Sequence, residues 1–193
     1  MTWWRYARHS NEGDMRIIAG EWRGRKLVAP TGDATRPSSD RTREALFSML
    51  ASRLGSFDGL IVADLFAGTG ALGLEALSRG AAHCTFVEQD RAAVDALRAN
   101  VAALGAKADV RAQGVGSLGQ ASAPCHLLLL DPPYDTGAGG ALLERLKRLG
   151  WIAPGAWVSV ETGRSENVAA AGFAFDAERK HGKAKLTLLR AEA

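Results

Sequence analysis

Leu60-Ile61-Val62-Ala63-Asp64-Leu65-Phe66-Ala67-Gly68-Thr69-Gly70-Ala71-Leu72-Gly73 decides how this chain is read. An apolar run of strand length, Leu60 to Leu65, passes through two glycines into a helical pattern from Ala71 to Arg79, closed by Gly80. A strand that feeds a helix through a glycine turn opens a βαβ unit, and the alternation continues downstream. His83 to Glu88 reads as a strand, Arg91 to Leu104 as a helix closed by Gly105, and Ala108 to Gln113 as a strand. Cys125 to Leu130 is a strand, Ala141 to Leu149 a helix, Trp157 to Glu161 a strand and Ser165 to Ala171 a short helix. Phe173 to Arg179 and Lys185 to Arg190 close the chain as two strands with no helix between them. The pattern predicts an α/β fold, a mostly parallel sheet of seven strands with helices on both faces. The last two strands form an antiparallel hairpin, because Lys180 to Lys183 is too short for a crossover.

Upstream of this body the chain changes character. Residues 1–14 are polar and without period, and are expected to form a disordered tail. From Met15 to Val28 two short apolar segments flank a polar, glycine-bounded centre, the pattern of a β-hairpin. Pro30-Thr31-Gly32-Asp33 is a turn, and Ser39 or Asp40 caps a helix that runs to about Leu54.

Charge is unevenly placed. The 193 residues carry a net +3, yet residues 16–43 alone sum to +4. A basic appendage on a near-neutral body suits a polyanion, with a solvated surface as the plain alternative. No apolar run approaches the roughly 20 residues that span a bilayer, and Met1 to Tyr6 has no secretory h-region. A cytoplasmic location is expected. Cys84 and Cys125 both fall in apolar strand segments and read as core residues rather than a disulfide. With no CxxC and four scattered histidines, no metal site is expected.

Ligand chemistry concentrates at strand ends. Asp64 precedes Gly68 by four residues, and Gly68 and Gly70 let backbone approach a ligand. Phe66, Ala67 and Thr69 complete that loop, and Asp64 could accept from a ligand ammonium or cap the next helix. Glu88 ends the second strand, where a carboxylate can accept from both ribose hydroxyls, or simply face solvent. A nicotinamide dinucleotide and S-adenosyl-L-methionine both fit so far. The third strand ends at Gln113-Gly114-Val115, which could read an adenine amine through Gln113 with Val115 against the ring, or be a plain turn.

The deciding element is Asp131-Pro132-Pro133-Tyr134, after the buried-strand pattern Leu127 to Leu130. Prolines lack the N–H, so this loop offers acceptors without donors. A nucleobase amine is a poor nucleophile because its lone pair is delocalised into the ring. Acceptors at the Asp131 carboxylate and the Pro132 carbonyl can twist it toward tetrahedral geometry, and Tyr134 can stack on the base. Methyl transfer from S-adenosyl-L-methionine to an amino group is the chemistry this predicts, with in-line positioning as its main source of rate. A rigid Pro-Pro turn with an aspartate cap is the plain alternative.

In Met15-Arg16-Ile17-Ile18-Ala19-Gly20 with Trp22 to Leu27, in Arg36-Pro37-Ser38-Ser39-Asp40-Arg41-Thr42-Arg43-Glu44-Ala45-Leu46-Phe47, and in Phe66 to Gly80, Glu88 and the Asp-Pro-Pro-Tyr motif, the chain resembles the RsmD family of 16S rRNA (guanine-N2-)-methyltransferases. The likeness covers nearly all of residues 15–193, and residues 1–14 precede that family's usual start. The resemblance implies a class I methyltransferase fold, Rossmann-like over residues 38–193, with residues 15–37 as a basic RNA-binding hairpin and loop. It also implies methylation of the N2 of one guanine, guanine 966, in 16S rRNA of an assembled or partly assembled 30S subunit. Asp131 to Tyr134 would handle the guanine. Arg16, Arg23, Arg25 and Lys26 would meet phosphates, Trp22 would stack on a base, and Arg36, Arg41 and Arg43 would line the target entrance. Core packing of Trp22 and surface ion pairs of the arginines are the alternatives. A monomer is expected, since no large exposed apolar stripe is evident.

Three rival activities fit parts of the pattern. A DNA adenine or cytosine amino-methyltransferase would need a target-recognition region larger than the N-terminal appendage. A protein-glutamine methyltransferase would typically carry Asn in place of Asp131. A catalytically silent RNA-binding assembly factor would have no need of the glycine loop, Glu88 and Asp131 together.

Overall fold

The computed structural model describes residues 15–30, 40–132 and 139–192. The expected tail at 1–14, Arg36, Pro133 and Tyr134 lie outside the described residues. Seven strands form one sheet: β1 (Ile61–Leu65), β2 (His83–Glu88), β3 (Ala108–Ala112), β4 (Cys125–Leu130), β5 (Ile152–Gly163), β6 (Phe173–His181) and β7 (Ala184–Ala191). Their order is β3-β2-β1-β4-β5-β7-β6. β1 to β5 run parallel, and β7 is antiparallel to both β5 and β6. The strand order reverses between β1 and β4, which opens the ligand crevice at their carboxyl ends.

Among the described residues four α-helices cover the sheet: α1 (Asp40–Leu54), α2 (Ala71–Ser78), α3 (Arg91–Leu104) and α4 (Gly139–Arg148). On one face Leu46, Phe47 and Leu50 of α1 and Leu74 of α2 pack with Val62, Leu127, Leu129 and Trp157 of the strands. On the other, Leu143 and Leu146 of α4 pack with Leu128, Leu130, Val158 and Val160. Cys84 belongs to the first cluster and Cys125 to the second, so the sheet separates them, and both thiols are free. Helix ends follow local chemistry. The Asp90 side chain accepts from the Ala93 N–H at 2.8 Å to start α3, and Gly105 in the left-handed region ends it.

Two expected elements differ. Residues 165–171 form no helix. Only Val168 of that stretch is buried, so it lacks an apolar helical face, and Asn167 instead accepts from Lys185 Nζ at 2.7 Å. β5 begins at Ile152, five residues before the expected start. Pro154-Gly155 sits in an irregularity where Cys125 pairs with Ile152 and Leu127 with Trp157. A bulge tolerates proline's missing N–H.

The N-terminal segment carries one isolated antiparallel bridge, Arg16 to Lys26, in place of two full strands. It is bolted to α2 and α3. Glu75, fully buried, accepts from the N–H groups of Ile18 (2.7 Å) and Ala19 (3.0 Å). Ser78 Oγ accepts from Trp22 N–H and donates to Ala19 O, while Asn100 pairs with both backbone groups of Val28. A Cβ on Gly20 would lie 1.8 Å from Ser78 O. Ile17 and Leu27 are part of the core itself.

Candidate active site at the carboxyl ends of β1, β2 and β4

Three carboxylates end three strands of the sheet. Leu65 pairs with Val87 on one side and Leu130 on the other, so Asp64, Glu88 and Asp131 reach the same edge. The Asp131 N–H points to Leu65 O at 3.4 Å, which ties the start of the Asp-Pro-Pro loop to the end of β1. Asp131 and Pro132 are half-buried.

Phe66 begins the glycine loop with φ 63°, the one non-glycine residue in the left-handed region among those described. That conformation costs roughly 1–2 kcal/mol in an ordinary residue and concentrates at functional turns. Gly68 also has positive φ, and no described atom lies within 4 Å of where its Cβ would be. Backbone there faces open space, as a ligand cradle requires. Gly70 has a packing requirement of its own. A Cβ on it would meet Leu97 at 2.4 Å and Phe86 at 3.3 Å, so its glycine serves helix–sheet packing. Ala67 and Thr69 are buried, and Thr69 faces the N-terminal segment: its Oγ1 donates to Met15 Sδ and its carbonyl accepts from Asn100.

Asp64 is only 1% exposed. Its Oδ2 accepts from the Gly73 N–H at 2.8 Å, a capping contact beneath the loop. That contact is the helix-capping alternative for Asp64. Burial pushes its pKa well above the ordinary carboxylate range; the Gly73 N–H opposes this, and the nearby charges of Asp131 and Glu88 add to it. Glu88 is half-buried and accepts from three backbone donors, Gly68, Gln89 and Asp90, at 2.7–2.8 Å. A carboxylate has about four lone-pair sites, so capacity remains for a further donor. Gln113 is half-buried past the end of β3. Val115 opens a 3-10 turn, Val115–Ser117, and is buried in the core beside Leu118.

The basic residues divide. Arg16, Arg23, Arg25, Lys26 and Arg41 are exposed, with Arg16 paired to Asp40 and Arg25 donating to Ala103 O. Trp22 is half-buried against the core. Arg43 is 1% exposed, and its Nη2 donates to Arg16 O at 2.6 Å and Asp40 Oδ1 at 2.7 Å. A surface role at a target entrance does not fit it; it ties α1 to the N-terminal segment. Burial lowers its pKa, against the attraction of Asp40 and Glu75. Sequence reading missed Glu75, Ser78 and Asn100. Their signal is polar residues on the otherwise apolar faces of α2 and α3. Among the described residues no cluster of three or more metal-binding side chains occurs, and no helix is long and apolar enough to cross a membrane.

The family described as "Conserved hypothetical protein 95" matches residues 15–190. Ribosomal RNA small subunit methyltransferase D of Escherichia coli (strain K12) is 42% identical over 156 residues, 80% of this chain and 77% of that protein. The chain belongs to the RsmD family. A solved E. coli structure described as the putative methyltransferase yhhF superposes with a TM-score of 0.83 at 37% identity, covering 94% of this chain and 99% of that one. The T. thermophilus 16S rRNA methyltransferase RsmC, solved with AdoMet and guanosine, gives a TM-score of 0.61 at 23% identity, covering 83% of this chain and 45% of that one. At that identity it shows the fold alone. The RsmD fold is that of the class I, S-adenosylmethionine-dependent methyltransferases.

Proposed function

We propose that the chain transfers a methyl group from S-adenosyl-L-methionine to the exocyclic N2 of a guanine, guanine 966, in 16S rRNA. The observation that carries this reading is the junction of Asp131 and Pro132 with the end of β1, beside the open backbone at Gly68. RsmD membership and the name of the E. coli relative support the rRNA substrate.

The residues fit S-adenosyl-L-methionine. Phe66 to Gly68 would line its amino-acid end, Glu88 would accept from its ribose hydroxyls, and Gln113 would lie toward its adenine. Asp64 acts beneath, holding the loop through Gly73. When bound, the cofactor supplies a methyl group on a cationic sulfur. The chain's own contribution is to orient the amine. Asp131 and the Pro132 carbonyl would accept its hydrogens and free the nitrogen lone pair, and by the motif match Tyr134 would stack on the base, with Pro133 adding no competing N–H. The proton leaves through Asp131 or to water. Exposed Arg16, Arg23, Arg25, Lys26 and Arg41 would meet RNA phosphates and Trp22 would stack on a base, with Arg36 a further cation for the target by the family resemblance. The protein acts as a cytoplasmic monomer on the 30S subunit or its precursor, without a metal.

Incubation with labelled S-adenosyl-L-methionine and 30S subunits lacking the modification tests this. Label at guanine N2 is expected. Label only in adenine, or only in DNA, overturns the reading.

A further inference from the structure

The β6–β7 turn sits where a second substrate contact would be useful. Leu130 pairs with Val160, so Asp131 is level with Glu161 on β5. Gly163, two residues further, pairs with Ala184, and Ala184 pairs with His181. At about 3.3 Å per residue the turn stands about 7 Å beyond the level of Asp131. With strands about 4.8 Å apart, it lies roughly 10–14 Å to the side. The turn is therefore a raised rim beside the pocket, at the same sheet edge. The N-terminal segment, packed on α2 and α3, occupies the opposite side.

That rim is cationic and held in place. Arg164, Arg179, Lys180 and Lys183 are all exposed. Arg164 clamps the turn twice, its N–H donating to Lys183 O and its Nη1 to Gly182 O, both at 2.9 Å. Glu178 is the acid next to the cluster, and buried Lys185 engages it at 3.4 Å. Lys180 is held more loosely, 3.9 Å from the other Glu178 oxygen and 48% exposed. Glu161 and Glu166 lie at the same corner, Glu166 through its N–H to Gly163 O, while Arg164 gives its hydrogen bonds to neutral carbonyls and Lys180 shares one carboxylate with Lys185.

We propose that Arg164, Arg179, Lys180 and Lys183 form a second contact for the RNA phosphate backbone, across Asp131 from the N-terminal segment. The inference rests on RNA being the substrate. This rim and Arg16, next to the Met15 that meets Thr69 of the glycine loop, would hold the strand at two points, fixing its register while carrying no sequence information.

The double variant Lys180→Ala/Lys183→Ala spares the Arg164 clamp and touches only exposed side chains. Its affinity for unmethylated 30S subunits and for free 16S rRNA is measured against salt, together with cofactor affinity and Tm. Roughly ten-fold weaker RNA binding is expected at moderate salt, with the log–log salt slope reduced by about 1.4–1.8 for two lost phosphate contacts. Cofactor affinity and Tm stay at parental values, and Lys180→Arg/Lys183→Arg restores the slope. An unchanged slope and affinity in the alanine variant overturns the proposal while leaving the substrate reading intact. Weaker binding to subunits with normal binding to free rRNA also overturns it, and assigns the turn to a ribosomal protein. If the parental protein binds cofactor but no RNA, the substrate reading itself falls, and this inference with it.

Discussion

Asp64 and Asp131 are both aspartates at strand ends, yet their surroundings give them different work. Asp131 is half-buried at the crevice, and Asp64 is buried beneath the glycine loop. Asp131→Ala is expected to lower single-turnover methyl transfer by at least about 100-fold, because the amine loses an oriented acceptor. Cofactor affinity, measured by titration, should stay nearly parental; lost affinity with undiminished turnover would refute the assignment. Burial of Asp64 predicts a pH-dependent contribution to stability. Its raised folded pKa means that the folded state holds a proton that the unfolded chain releases near pH 4. Its contribution is full below that pH and is lost as pH rises through the folded value. Asp64→Asn keeps an oxygen for Gly73 N–H and removes the titration. The variant's Tm should fall less than the parent's between pH 4 and neutrality, and parallel declines would exclude Asp64 as the cause. Asp64 at a strand end before glycines was legible in the sequence; its depth was not, because depth depends on how the loop folds back over it.

At the scale of elements, the N-terminal segment and the glycine loop are mechanically joined. Asn100 on α3 donates to Val28 O and Thr69 O and accepts from Val28 N–H, and Thr69 Oγ1 meets Met15. Asn100→Ala leaves buried backbone groups of both elements without partners, a cost of about 1–3 kcal/mol. Thermal unfolding should show that loss, and cofactor titration should show weakened binding, since the loop loses a support. Full cofactor affinity in a destabilised variant would show that the loop holds its shape alone. Glu75 is a stronger case. It is fully buried and binds two N–H groups of the segment as well as Arg79 at 2.8 Å. Glu75→Ala should destabilise by about 3–5 kcal/mol, the range for breaking a buried ion pair, measured by denaturant unfolding. The helices and strands of this layer were largely readable. Apolar periodicity marked α1 to α3, and the Asp90 and Gly105 caps sit where α3 begins and ends. Residues 165–171 and the start of β5 misled, because an irregular connecting segment and a bulge have no local signature of their own.

Across the whole molecule, exposed positive charge stands in two places, the N-terminal segment with Arg41 and the β6–β7 turn at the carboxyl edge of the sheet. Removing residues 15–28 would be a poor test of RNA binding, since Ile17 and Leu27 are core residues and Glu75 and Ser78 would lose their partners. Arg23→Ala/Arg25→Ala acts on exposed side chains alone. It should lower the salt slope of RNA binding by about 1.4–1.8 and leave methyl transfer at saturating RNA near parental, as a filter-binding titration and a rate assay would show. An unchanged slope would remove the segment from the RNA contact. The sequence by itself determined the alternation of strand and helix, the antiparallel end, and the residue types of the site. Those follow from period, turn chemistry and motif spacing, which are local. Only the tertiary structure decided that Asp64 lies beneath the loop, that Arg43 is buried, that Gly70 serves packing, and that the 181–184 turn rises beside Asp131. Burial and strand register depend on contacts between residues far apart in the chain, and no local pattern encodes them.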